Sequence, residues 1–209
     1  MTDAPQTQDP ALLLEAARVF NAAGPNGRAI AEVVSDLAVK AIDKSDPKTA
    51  AAILCDAAAL RLSGRVRGGF DEALKLLDQA DPASSEDGGG RVDMLRALAL
   101  GQKYRAMKVG KSDAEIQALA PDLKVVVDKA REALASAFRK RPSLLEANVH
   151  FWDSNARDAH LKSKGAAVAS GAAPAKDNQD REDDLQMMFE DNPDMKLQFA
   201  PKPRTDAKT

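Results

Sequence analysis

The chain has 209 residues, of which 44% are hydrophobic but only 4% aromatic, and its formal net charge is −2. This length is sufficient for one well-cored domain with tails. A slightly acidic total charge argues against the whole chain being an electrostatic trap for nucleic acid. A single cysteine, Cys55, excludes an internal disulfide and a multi-cysteine metal site, and its Ala/Leu-rich surroundings predict a small buried side chain.

The composition favours helices throughout. Alanine, leucine, glutamate, lysine and arginine are strong helix formers and dominate the chain, whereas alternating Val, Ile, Thr and Tyr runs are nearly absent. We therefore predict an all-α fold in which alanines let the helices approach closely. The first residues do not read as a signal peptide, and no apolar run approaches the ~20 residues that span a bilayer. The expectation is a soluble cytoplasmic protein.

The first half of the chain predicts a disordered arm and three helices. Residues 1–10 are polar with two prolines, and a helix follows from Ala11 to about Phe20. A second helix, at about 28–43, carries apolar residues on one face: Ile30, Val33, Val34, Leu37, Ala38 and Ala41. A third helix, at about 48–62, is apolar on most sides, which is typical of a helix packed on several sides.

The second half predicts further helices and then a tail. The helices lie at about 70–80, 92–107, 122–140 and 143–164, the last being a capping helix. Ser112 and Glu115 have the spacing of a capping box and predict a short helix that ends before Pro121. These elements define a helical domain over 11–164. From Gly165 the composition predicts a disordered, mobile acidic tail over 165–209.

Two prolines divide the helical domain at a regular interval. Pro47 and Pro82 lie 35 residues apart, and two helices are predicted between them. The segment 68–82 begins with a glycine turn and continues as a short helix that ends at Pro82. Its small, large and small apolar residues are Ala73, Leu77 and Ala80; the same spacing recurs at Ala130, Leu134 and Ala137, before Pro142.

This pattern resembles the tetratricopeptide repeat, whose period is roughly 34 residues. The resemblance covers about 11–142 and rests mainly on the second unit and half of the third. It implies a right-handed stack of about three antiparallel helical hairpins, whose concave surface binds peptides. By resemblance, the protein is a bacterial-type scaffold, adaptor or chaperone. The alternative is an unrelated alanine-rich helical bundle with the same proline spacing.

No residue set predicts catalysis. His150 and His160 are ten residues apart, so one helix would not present them as an i, i+4 metal-binding pair. The chain has neither a Gly-x-Ser-x-Gly elbow nor a Walker-type phosphate loop. We therefore expect a non-catalytic protein with no metal and no cofactor.

Basic residues cluster near two predicted helix ends. Lys103 and Arg105 lie in one cluster, and Arg139 and Lys140 lie in the other. Cations at a helix C-terminus are favoured by the helix macrodipole. The same residues are candidates for binding an acidic partner peptide. Aromatic residues for base stacking are scarce around them, which argues against nucleic acid.

The tail contains large apolar residues that a disordered segment normally lacks. Leu185, Met188 and Phe189 have i, i+3, i+4 spacing and predict one apolar stripe on a short helix that ends at Asn192. Just beyond, Met195, Leu197 and Phe199 alternate with polar residues, as in an extended strand.

These tail residues support two interpretations. They are candidates for a docking motif that binds a protein partner as a helix in a groove or as an added strand. Alternatively, they pack back on the chain's own helices, and the acidic tail opposite the basic clusters would then act as a regulatory plug. A structural protein whose tail becomes ordered on oligomerisation is a further alternative, and a nucleic-acid-associated protein is the least favoured.

Overall fold

The computed structural model describes residues 9–43, 45–63, 69–84, 89–147, 153–164 and 176–197. These residues are helical with short connections, and no strand occurs among them, so the predicted all-α class is confirmed for this part of the chain. The helices are α1 (Pro10–Ala22), α2 (Pro25–Lys40), α3 (Pro47–Ser63), α4 (Gly69–Gln79), α5 (Gly90–Lys108), α6 (Asp113–Ala118), α7 (Ala120–Lys140), α8 (Pro142–Ala147), α9 (Ser154–Lys164) and α10 (Lys176–Asp191).

Local capping sets several helix starts. The Asp9 carboxylate accepts a 2.9 Å hydrogen bond from the backbone N–H of Ala11, and Pro10 occupies the first turn of α1. The predicted capping box at α6 is confirmed, since the Glu115 carboxylate accepts a 2.8 Å hydrogen bond from the backbone N–H of Ser112. Such side chains satisfy backbone groups that have no partner within the helix.

Most helices pack against their neighbours in sequence. The most extensive contacts are between α1 and α2, between α3 and α4, and between α5 and α7, and each of these pairs contacts the next. Alanines with no exposed surface lie at these contacts: Ala17, Ala38, Ala57, Ala58, Ala73, Ala97, Ala99, Ala130 and Ala137. Small side chains permit close backbone approach, so the core is built from narrow helix–helix spacings and filled mainly by leucine and valine.

A buried arginine joins the first two pairs. The Arg61 side chain on α3 is 6% exposed and forms ion pairs with Glu32 and Asp36 of α2 and with Glu72 of α4. The pairs to Glu32 and Glu72 measure 3.5 and 3.4 Å. Because the planar guanidinium carries five donors, one side chain can connect three helices.

The helix α5 lies at the centre of the fold, since α3, α4, α7 and α10 all contact it. Its buried residues therefore occur on every side of the helix and include Val92, Leu95, Ala97, Leu98, Ala99, Leu100 and Tyr104. Asp93 is also buried and joins α5 to α7, accepting hydrogen bonds of 2.6 Å from Ser136 Oγ and 2.7 Å from Lys140 Nζ. These polar contacts join α5 and α7 beside their buried apolar residues.

The C-terminal part differs from the sequence-based expectation in two places. The prediction of a single helix over 143–164 is wrong, because two separate helices, α8 and α9, occur in this range. Asp153 begins α9 by accepting hydrogen bonds from the backbone N–H groups of Asn155 and Ala156, at 2.9 and 3.0 Å. The predicted disorder does not extend to 176–197, where α10 and a 3-10 turn at Pro193–Met195 are formed.

Candidate protein-interaction surfaces

The C-terminal segment 184–197 packs on the chain's own core. Leu185, Met188 and Phe189 are at most 3% exposed, on the side of α10 that meets α5. Gly101 faces α10 at this contact, and a methyl group in its place would lie at ordinary van der Waals distance, 3.5 Å, from the Asp184 carbonyl oxygen and from Leu185 Cδ2. The predicted apolar stripe thus exists, and in this structure its partner is the protein itself.

Polar contacts hold both ends of the buried part of α10. Arg105 forms a 2.6 Å ion pair with Asp184. Lys108, about one turn further along α5, forms an ion pair with Asp191. The hydrogen bond to Asp191 raises the pKa of Lys108 above its ordinary value of 10.5, because it favours the charged ammonium group. These contacts match the charge complementarity between acidic tail and basic cluster that the sequence indicates.

The residues after α10 extend the docked segment. Met195 and Leu197 are 1% and 2% exposed, and the Leu197 carbonyl oxygen accepts a 2.8 Å hydrogen bond from the backbone N–H of Asp153. Leu197 forms a single backbone bridge, whereas Met195 belongs to the 3-10 turn Pro193–Met195, so the predicted extended strand is wrong at Met195. Phe199, the last member of the pattern, lies outside the described residues.

The four basic candidates lie in different surroundings. Lys103 pairs with Asp71 of α4 at 3.0 Å, Arg105 pairs with Asp184, and Lys140 pairs with Asp93 at 2.7 Å. Arg139 is exposed in the last turn of α7. The structure therefore does not bring these four cations together into one patch, because three of them bind carboxylates on neighbouring helices.

An open groove lies between α4, α5 and α7 and has a volume of about 810 Å³. Much of its lining is apolar, although the polar residues Asp93 and Ser136 also line it; the apolar residues are Leu74, Leu100, Met107, Val125, Val126 and Ala133. Its edges carry charges of both signs: Asp78, Arg96, Lys103, Asp122, Lys129 and Glu132. Lys103 is the one sequence-based candidate that lines it. The apolar floor with mixed charges at its edges is suited to an amphipathic peptide.

Sequence reasoning missed the groove and the 2.7 Å hydrogen bond that the side-chain amide of Asn192 donates to the hydroxyl of Tyr104. The groove had one usable signal, since three consecutive valines at 125–127 make the apolar stripe of α7 wider than one neighbouring helix can cover. Val127 is buried, whereas Val125 remains 52% exposed in the groove. Tyr104 and Asn192 had no such signal, because their pairing depends on how α10 crosses α5.

Cys55 is 2% exposed within α3, as predicted. His150 lies outside the described residues. Among the residues that the structure describes, no cluster of His, Cys, Asp and Glu side chains has the arrangement of a metal site, and no helix combines the length and apolar character needed to cross a membrane. Compared with known proteins, the chain matches no family model, no curated protein and no solved structure.

Proposed function

We propose that this protein is a non-catalytic protein-binding scaffold, built as a tetratricopeptide-like stack of the hairpins α1–α2, α3–α4 and α5–α7. Two observations support the architecture. The helix pairs follow one another in sequence and in space. The residues with the family's small–large–small spacing are all at most 3% exposed: Ala73, Leu77, Ala80, Ala130, Leu134 and Ala137.

The observation that carries the binding role is the groove between α4, α5 and α7. Leu100 and Val126 form a buried base, while Val125 projects into the groove and is half exposed. An amphipathic peptide helix placed there would bury Val125 and set its own charges against those of Arg96, Lys129 and Glu132. A partly exposed apolar floor of this kind favours binding of a protein segment.

In this proposal the docked tail segment 184–197 is an internal part of the scaffold. It covers α5 on a side distinct from the groove, since the groove is lined on α5 by Arg96, Leu100 and Lys103 whereas α10 contacts Gly101 and Arg105. The groove is therefore open while the tail is docked, and peptide binding does not require the tail to leave.

A peptide-display selection on the full chain tests the groove. We expect enrichment of amphipathic helical peptides by the wild-type protein and loss of their binding in Val125→Asp, because a carboxylate in the apolar floor must be desolvated on binding. Val19→Asp is the matched control, since Val19 is also exposed and lies on α1, far from the groove lining. Selected peptides that bind Val125→Asp as well as wild type, or that depend on Val19, would contradict the proposal.

A further inference from the structure

The first helix pair carries an exposed apolar surface. Nine large hydrophobic side chains are exposed among the described residues, and six of them belong to α1 and α2. Their exposed fractions are 68% for Leu12, 70% for Val19, 37% for Phe20, 47% for Ile30, 61% for Val33 and 40% for Leu37. We name these six residues the outer face.

The outer face points away from the rest of the protein. On α1, Leu14 and Ala17 are buried. Two side chains of α1 donate hydrogen bonds to α3: Arg18 to the Asp56 carboxylate at 2.8 Å, and Asn21 to the Ser63 hydroxyl at 3.0 Å. Leu12 and Val19 are seven residues apart, so they form one line along α1, and the 100° step per residue places that line opposite Leu14. The outer face thus continues the row of helix pairs on the side that α3 does not cover.

The same geometry holds on α2. Glu32 and Asp36 point to α3, where they bind Arg61. The spacing of Ile30, Val33 and Leu37 is i, i+3, i+7, so they form a separate line along α2. This line lies about one third of the helix circumference away from Glu32 and Asp36. The buried contacts of α2 are made instead by small residues: Gly27, Ala31, Ser35 and Ala38.

The outer face is mainly apolar, but exposed charged residues border it: Glu15 lies between Leu12 and Val19 on α1, and Lys40 lies one turn after Leu37 on α2. On α1 the charged residues are Glu15 and Arg18, which pair with each other beside Asp56 of α3. A mainly apolar surface with few charges offers little electrostatic pattern with which to select a different protein. Two-fold symmetry can instead bring the same apolar patch of two copies together, and the pairing of Glu15 with Arg18 reduces the repulsion between the two copies of Glu15.

The exposed area agrees with this occupant. Six side chains with these exposures form a patch on the order of 500 Å², a size that marks interaction sites on monomeric proteins. Two copies would bury on the order of 1,000 Å² of apolar side-chain surface, which reaches the lower limit for a specific interface. At the other end of the row, α5 is already covered by α10, so a second copy has no equivalent apolar face there.

We propose that a second copy of this chain binds the outer face, so that α1 and α2 of two copies form a four-helix interface around a two-fold axis. The proposal goes beyond the peptide-binding role, because the outer face and the groove share no residue. Val19 is the most exposed member, at 70%. A two-fold interface contains each residue twice, so one substitution changes two positions.

Sedimentation equilibrium of the full chain tests the proposal. We expect a reversible dimer whose Kd rises by about 30-fold or more in Val19→Asp, the effect of losing one well-packed interface residue. Val125→Asp makes the same change at another half-exposed valine and is expected to leave the Kd unchanged. Circular dichroism of both variants should match that of wild type, since neither side chain belongs to the core.

Two results would overturn the proposal. If the wild-type chain remained monomeric up to its solubility limit, the outer face would not bind a second copy. It would then be covered by something else, such as a different protein or residues 198–209 of the same chain. A dimer that dissociates in Val125→Asp but not in Val19→Asp would place the interface elsewhere. Loss of peptide binding in Val125→Asp with an intact dimer would leave the two proposals independently supported.

Discussion

The side-chain amide of Asn192 donates a 2.7 Å hydrogen bond to the hydroxyl of Tyr104, across 88 positions of sequence. Asn192 immediately follows α10, and Tyr104 is 6% exposed on the central helix α5. Together with the ion pair between Arg105 and Asp184, this bond fixes the position of α10 along α5. The C-terminal segment is therefore a packed element of the fold in this structure.

The first prediction concerns two adjacent methionines of α10. Met188 is fully buried against the core, whereas Met187 is 41% exposed. We expect Met188→Ala to lower the free energy of unfolding by about 2–5 kcal/mol, because it removes buried apolar surface and leaves a cavity. Met187→Ala should change it by about 0.5 kcal/mol at most. Urea denaturation of both variants measures the difference, and equal effects would show that the segment does not contribute to the core.

A second prediction compares two glycines within helices. A methyl group at Gly27 would overlap the carbonyl oxygen of Phe20, a backbone atom that cannot rotate away. Gly27→Ala should therefore destabilise the α1–α2 pair by about 1–3 kcal/mol. At Gly101 the added methyl meets only ordinary van der Waals contacts at 3.5 Å. Gly101→Ala should stabilise the protein by about 0.5–1 kcal/mol, because alanine is the better helix former.

Thermal unfolding of the two glycine variants under identical conditions gives the comparison. The expected result is a lower midpoint for Gly27→Ala and a higher one for Gly101→Ala. If Gly101→Ala were the destabilising change, α10 would have to lie closer to α5 than the structure has it. If Gly27→Ala were neutral, the α1–α2 contact would have to be wider.

A third prediction concerns the start of α3. The pKa of Asp46 lies below its ordinary value of 3.8, mainly because its carboxylate accepts a hydrogen bond from the Thr49 hydroxyl, and secondly because it accepts one from the Thr49 backbone N–H. Because the folded-state pKa is lowered, the stabilisation is fully present above about pH 3.8 and is lost as the pH falls through the lowered value. Acid should therefore weaken the beginning of α3.

A carbon-detected NMR titration of the Asp46 carboxyl group tests this prediction. The midpoint should lie below 3.8 in wild type and move toward 3.8 in Thr49→Ala, which removes the hydroxyl donor. Thr49→Ser keeps the hydroxyl group and should keep the lowered midpoint. A wild-type midpoint at the ordinary value, or equal midpoints in all three proteins, would mean that the cap does not form in solution.

The helix α2 illustrates where sequence reasoning stopped. The pattern placed Ile30, Val33, Leu37 and Ala38 on one helix face, yet the first three are 40–61% exposed and Ala38 is fully buried. The buried contacts belong to a neighbouring line of small residues, with Ala31 and Ala38 at 5% and 0% exposure. Periodicity identifies an apolar face, but the helix that covers it depends on shape complementarity between distant segments.

The tail shows the same limit. Spacing alone predicted the stripe of Leu185, Met188 and Phe189, and left open whether a partner or the chain itself would cover it. The structure places it on α5, beside Gly101, where Arg105 forms an ion pair with Asp184. That the segment also binds another protein stays a prediction, as do the tetratricopeptide-like assignment and the absence of catalysis.

The sequence by itself determined the helices and several of their ends, because capping side chains, prolines and glycines act on backbone groups within a few residues. Ser112 with Glu115 is the clearest case. Tertiary structure alone decided the groove, the docking of α10 and the uncovered outer face of α1–α2. Those features depend on which apolar surfaces meet, and that is settled by packing between residues up to 88 positions apart, as between Tyr104 and Asn192.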